Sequence, residues 1–138
     1  MKDTGVNSGF MIPQYTAAAL VSENKILCHP ASVDSIPTSL GQEDHVSMGS
    51  ISALKLLSVL RNVERVLAVE FLTAAQALDF RAPLKPGKGV LVAHRLLREQ
   101  ISHAQQDYEV RNDLDTCADI LRRGELAAGI EAGIGTLA

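Results

Sequence analysis

The run Gln42-Glu43-Asp44-His45 is polar, closes a long loop and opens the longest helical pattern in the chain. A carboxylate at such a junction can point into a cleft and act as hydrogen-bond partner or proton carrier for a substrate. The free N–H groups of a helix N-terminus also favour anions, so two acidic residues there have a purely structural use. Asp44 suits that capping use. Glu43 is the candidate functional carboxylate, with both uses open to it. Other constellations carry less. His29, His45, His94 and His103 make no HExxH motif and no His pair with a facing carboxylate at helical spacing. His94 and His103 read as surface histidines on a solvated helix, and no zinc or iron site is expected. Gly87-Lys88-Gly89 lacks the spacing and hydroxyl of a phosphate loop, Gly129, Gly133 and Gly135 follow no strand, and there is no GxSxG. Cys28 and Cys117 have no CxxC spacing, so free thiols are expected rather than a disulfide framework or a zinc site.

The whole that must position these groups is one ordinary domain of 138 residues. A hydrophobic share of 46% against 21% charged residues excludes a disordered tail. With 4% aromatic residues and no Trp, the core is expected to be aliphatic and Ala-rich, which favours close helix packing. The net charge is −3, and both halves of the chain carry slightly more acid than base, so a nucleic-acid partner is not expected. No apolar run approaches the roughly 20 residues of a membrane helix, and no signal peptide is visible, so a cytoplasmic chain without a membrane partner is expected.

Residues 1–9 read as a loop ending in Ser8, a candidate N-cap. From Phe10 to Cys28, Met11, Tyr15, Ala18, Ser22 and Ile26 recur every three to four residues, and Pro13 sits in the first turn, predicting a helix. Residues 29–44 hold two prolines, a glycine and several hydroxyl residues, hence a long loop. Its Val33, Ile36 and Leu40 predict that it is ordered and packed. From Val46 the helical period returns for about thirty residues, with Leu56, Leu60, Val63, Leu67, Phe71, Ala74 and Leu78 as its stripe. Asp44 or Ser47 can cap its start. Such a helix spans about 45 Å, more than a chain this size can wrap alone. Residues 79–89 are turn-rich. Val90–His103 predicts a third helix, with Val90, Ala93, Leu97 and Ile101 on one face. Residues 104–112 read as irregular. Asp113 opens a fourth helix to about Arg123, and a last short piece runs to Ala128 before a Gly-rich tail. Strand patterns are absent. The expectation is an all-α single segment over 1–138: loop 29–45, long helix about 46–79, C-terminal helices about 90–128.

Three ordered motifs carry a resemblance. They are Asn7-Ser8-Gly9-Phe10-Met11-Ile12-Pro13-Gln14-Tyr15-Thr16-Ala17-Ala18-Ala19-Leu20, His29-Pro30-Ala31-Ser32-Val33-Asp34-Ser35-Ile36-Pro37-Thr38-Ser39 and Gln42-Glu43-Asp44-His45-Val46-Ser47-Met48-Gly49. Leu67-Ala68-Val69-Glu70, Ala74-Ala75-Gln76-Ala77-Leu78 and Arg81-Ala82-Pro83-Leu84-Lys85 continue it. Together they resemble the histidine ammonia-lyases of the aromatic amino acid lyase family. The match is strong over residues 5 to about 86 and loose beyond.

The resemblance implies the C-terminal portion of an all-α, long-helix bundle whose central helices are shared among the subunits of a homotetramer. It implies elimination of ammonia from an aromatic amino acid. For L-histidine the product is trans-urocanate, a step in histidine degradation. It also implies a methylidene-imidazolone electrophile cyclised from an internal Ala-Ser-Gly. That tripeptide does not occur in the 138 residues, so the group is expected elsewhere in the full-length enzyme, and the isolated chain is expected to be inactive. The family's tyrosine base and its ring-selecting residues likewise fall outside this sequence. Implied partners are L-histidine, the remainder of the lyase polypeptide and further copies of it. By resemblance, Glu43 matches the glutamate that reaches the active site of histidine ammonia-lyases, where tyrosine and phenylalanine lyases carry Gln. The physics agrees: an imidazole can donate an N–H or become cationic, and a carboxylate partner suits it. A phenyl ring would leave that charge unpaired. Met11 matches a pocket residue, a thioether against a ring, with a simple core role also open. Ser39, one turn ahead of Glu43, is a further pocket candidate. The alternatives are a non-catalytic helical module that binds subunits, or part of a tyrosine or phenylalanine ammonia-lyase.

Overall fold

The 3.6-residue period written into the middle of the chain becomes one uninterrupted helix, and everything else is arranged along it. The computed structural model describes residues 5–136. In chain order it has helix α1 (Met11–Leu27), strands β1 (Pro37–Thr38) and β2 (Glu43–Asp44), and helices α2 (Gly49–Asp79), α3 (Lys88–Arg98), α4 (Arg111–Arg122) and α5 (Glu125–Ile134). At 31 residues α2 is about 46 Å long. The all-α reading holds, apart from a two-residue antiparallel ladder that pairs Pro37 with Asp44 and Thr38 with Glu43.

Helices α1 and α4 lie against α2, and α5 lies against α3. The core forms where α2, α3 and α4 meet. Ala68, Leu72 and Ala75 of α2 face Leu97 of α3, Ile101, and Cys117, Ala118 and Ile120 of α4. The alanines let the backbones approach, as the Ala-rich, aromatic-poor composition suggests. Between α3 and α5 glycine takes that part: a Cβ on Gly129 would lie 2.5 Å from Leu96 Cδ1. Helix α1 runs antiparallel to α2. Phe10, Gln14 and Ala17 share a cleft with Thr73, Ala74 and Ala77. Farther along, Asn62 Nδ2 donates to Glu23 Oε2 and Asn24 Oδ1, each at 2.9 Å. At the far end Lys55 Nζ donates to the His29 carbonyl.

Several expectations are corrected. Phe10, not Ser8, is the N-cap of α1, and it makes no side-chain cap. Met48 is the N-cap of α2, three residues later than Val46 would place the start, also without a side-chain cap. Asp44 is tied up in β2, and Ser47 Oγ accepts only the Gly49 N–H, at 3.3 Å. The loop is ordered but not packed within this chain: Val33 and Ile36 are 65% and 61% exposed, and Leu40 is fully exposed. The stripe of α2 is left open, as expected of a helix too long for this chain to wrap, with Leu56, Leu60, Val63 and Leu67 between 40% and 56% exposed. The face used inside the chain is instead Asn62, Ala68, Val69, Leu72, Ala75 and Gln76. Helix α3 stops at Arg98 rather than His103, although Leu97 and Ile101 are buried as that face required. Helix α4 starts at Arg111, ahead of Asp113, and the Gly-rich tail is helical through Ile134. Gly124 makes this possible by taking a left-handed φ of 70° between α4 and α5.

Candidate functional site

The loop before α2 folds into a small hairpin around Glu43. Pro37 and Thr38 enter as β1, a tight turn over Ser39–Gly41 reverses the chain, and Glu43 and Asp44 return as β2. The His45 N–H donates to the Ile36 carbonyl at 2.8 Å, closing the base. The turn is strained: Ser39 and Leu40 sit at φ of 50° and 57°, a region that costs non-glycine residues roughly 1–2 kcal/mol each. What the strain achieves is local. Ser39 Oγ donates to Glu43 Oε2 at 3.0 Å, and Thr38 Oγ1 donates to the Glu43 carbonyl at 3.3 Å. Two of the three candidates from the sequence therefore meet, with the serine hydroxyl orienting an exposed carboxylate.

The third candidate stands elsewhere. Met11 is the first residue of α1 and is half exposed. Because α1 runs antiparallel to α2, Met11 lies beside the residue 73–77 end of α2, whereas Glu43 precedes its beginning. Along the axis this separates them by roughly 35 Å. Within one chain they do not share a pocket.

The densest polar constellation lies at the end of α2, where none was anticipated. Asp79 Oδ1 pairs with His94 Nε2 at 2.7 Å, and Asp79 Oδ2 takes Arg98 Nη2 at 2.6 Å and His103 Nδ1 at 2.7 Å. The Asp79 side chain is 20% exposed. Burial pushes its carboxyl up, but the bonds from His103, His94 and Arg98, with the Arg98 charge, outweigh this and hold it below the ordinary 3.8. Arg98 Nη1 also donates to the Ile101 carbonyl at 3.1 Å. The edge of the His103 ring meets Phe80, with centroids 5.3 Å apart. His94 and His103 are thus partners of one carboxylate rather than surface histidines. One signal was present: His94 and Arg98 are one turn apart and share a face of α3. The carboxylate between them comes from a different element, which helical spacing cannot supply. Among the described residues no group of three or more His, Cys, Asp or Glu is arranged to hold a metal, and no helix is long and apolar enough to cross a membrane.

Comparison with known proteins places this geometry. The family model for aromatic amino acid lyases matches residues 1–99. The chain belongs to the aromatic amino acid lyase family. It is 56% identical to the histidine ammonia-lyase of Natranaerobius thermophilus over 137 residues, which is 99% of this chain and 27% of that protein. Among solved structures it superposes on the histidine ammonia-lyase of Trypanosoma cruzi with a TM-score of 0.91 at 45% identity, covering 97% of this chain and 27% of that one. It superposes on a tyrosine aminomutase from Streptomyces globisporus with a TM-score of 0.87 at 37% identity, covering 95% and 25%. The chain therefore spans about a quarter of the relatives it matches, and its fold is that of the matching part of the lyase body.

Proposed function

We propose that this chain supplies part of the active site of a histidine ammonia-lyase, which eliminates ammonia from L-histidine to give trans-urocanate. The observation that carries the reading is the Glu43 hairpin. It presents a carboxylate oriented by Ser39 and open to an incoming ring, in a chain more than half identical to a histidine ammonia-lyase. The carboxylate accepts an imidazole N–H of the substrate, or pairs with the imidazolium, and can hold a proton at its free oxygen. Met11 forms an apolar wall for the ring. Since Met11 and Glu43 lie at opposite ends of α2, a pocket using both draws them from different copies of the chain. The open stripe Leu56–Leu67 is the surface that such copies, or the rest of the polypeptide, would cover. The family's methylidene-imidazolone cannot form from these residues, because no Ala-Ser-Gly is among them. On this reading the chain alone is inactive, and the electrophile comes from other parts of the complete cytoplasmic enzyme.

Glu43→Gln in the complete enzyme tests the assignment. The side chains are nearly isosteric and the position is exposed, so the melting temperature should stay close to that of the parent. Loss of the charge and of proton acceptance should lower turnover of histidine by about 10² to 10⁴. Steady-state rates of urocanate formation beside thermal melts decide it. Near-normal turnover would remove Glu43 from the chemistry and leave the hairpin a structural element.

A further inference from the structure

Helix α1 begins without the usual devices. Its first turn holds no acidic residue, and its N-cap makes no side-chain bond. The leading N–H groups and the positive end of the helix dipole call for acceptors. Asp107, almost a hundred residues away, does not reach them but holds the two residues just ahead of the N-cap Phe10. The Ser8 N–H donates to Asp107 Oδ2 at 2.7 Å and the Gly9 N–H donates to Asp107 Oδ1 at 2.9 Å. In return the Asp107 N–H donates to Asn7 Oδ1 at 2.9 Å. One carboxylate thus grips two adjacent backbone donors with both oxygens. Gly9, at a left-handed φ of 64°, gives the turn that follows. Phe10 then drops against the core, and Met11 opens the helix.

Asp107 is itself anchored to the end of α2. Gln76 pairs with both backbone groups of Ala104: its Oε1 accepts the N–H at 3.1 Å and its Nε2 donates to the carbonyl at 2.7 Å. A flipped amide would set N–H against N–H, so the orientation is fixed. Gln76 Nε2 must therefore act as donor in its 3.3 Å contact with His103 Nε2. That leaves His103 bare at Nε2 and able to donate from Nδ1 to Asp79. The path from Asp79 through His103 and Ala104 reaches within three residues of Asp107.

We infer that Asp107 is a positioning residue for the substrate pocket. It sets the start of α1, and with it the place of Met11, across the fold; this rests on the reading of Met11 as a pocket wall. The test uses the complete enzyme and three variants: Asp107→Asn, Met11→Ala, and Asn7→Ala as the milder form should Asp107→Asn not fold. KM, kcat, melting temperature and amide hydrogen exchange across residues 5–15 are measured for each. Asp107→Asn should raise KM for histidine about tenfold, the scale of one lost charge-assisted hydrogen bond. Turnover and melting temperature should change little, and exchange over residues 8–12 should quicken. Asn7→Ala should shift the same quantities in the same direction by a smaller factor. Faster exchange with unchanged KM, while Met11→Ala raises KM, overturns the positioning role and keeps Met11 in the pocket. Unchanged KM in Met11→Ala as well overturns the Met11 reading and this inference with it.

Discussion

The two halves of α2 are alike in composition and opposite in circumstance. Every residue the helix buries lies between Asn62 and Gln76; residues 49–61 bury none. The second half carries the core with α3 and α4 and ends in the Asp79 cluster. The first half, with the strained hairpin before it, exposes Ile51, Leu54, Leu56, Leu57 and Leu60. A helix that is apolar on more than one face belongs inside a body larger than the chain that carries it, which fits a chain spanning about a quarter of its relatives. The half that packs on itself holds the fold. The candidate chemistry at Glu43 sits on the half that leaves its apolar surface open.

The two cysteines give the largest expected contrast between these regions. Cys28, just after α1, is exposed; Cys117, in the core, is buried. Burial, reinforced by the Asp113 charge, pushes the Cys117 thiol up to about 12. Only the thiolate reacts, so at pH 8 about one Cys117 in 10⁴ is competent, before any steric protection. Alkylation followed by mass spectrometry should show one rapid label and a second at least about 10³ slower, the two becoming equal in denaturant. Equal rates in the native chain would mean that the core at α4 opens as freely as the loop.

Next come two leucines on the same helix. Leu72 is 2% exposed and Leu60 is 49% exposed. Leu72→Ala should cost roughly 2–5 kcal/mol, transfer plus cavity. Leu60→Ala should cost under about 0.5 kcal/mol in the chain by itself. Urea midpoints of the two variants measure the difference. A Leu60 variant as damaging as the Leu72 variant would show that the first half of α2 is covered in solution.

These pairs also mark what the sequence reveals. Periodicity located α2 to within a few residues and found α1, because long apolar repeats without Pro or Gly leave few alternatives. It picked out the stripe that the chain leaves open and not the face that the chain buries. Leu56, Leu60, Val63 and Leu67 form as good a helical face as Ala68, Leu72 and Ala75, and only the neighbours decide which is used here. At the site, Glu43 was legible as an acid at a loop–helix junction, but its hydrogen bond to Ser39 depends on two left-handed residues that no local propensity favours. Asp79 and Asp107 were not legible at all. Their partners lie 15 to 24 and 98 to 100 positions away, and a lone aspartate beside a turn carries no mark of what will fold onto it.

The smallest effect asks what holds the packed half at its polar end. A carboxylate in the last turn of a helix faces the negative end of the dipole, so Asp79 sits there at a cost. Arg98, His94 and His103 offset it, and the net result is a carboxyl held below 3.8. The sign follows: a native value below the unfolded one contributes stability that is complete above 3.8 and fades as the pH falls below it toward the depressed native value. Asp79→Asn keeps the shape and removes the charge. With the side chain a fifth exposed, solvent screening trims the loss to about 1–2 kcal/mol at pH 5. At pH 3 the parent has partly lost the same interaction, so the gap between the two should narrow. Urea melts of both proteins at pH 5 and pH 3 measure it. No gap at either value would mean that the cluster is held by hydrogen bonds an amide can also make, and that the charge on Asp79 contributes little to joining α3 to the end of α2.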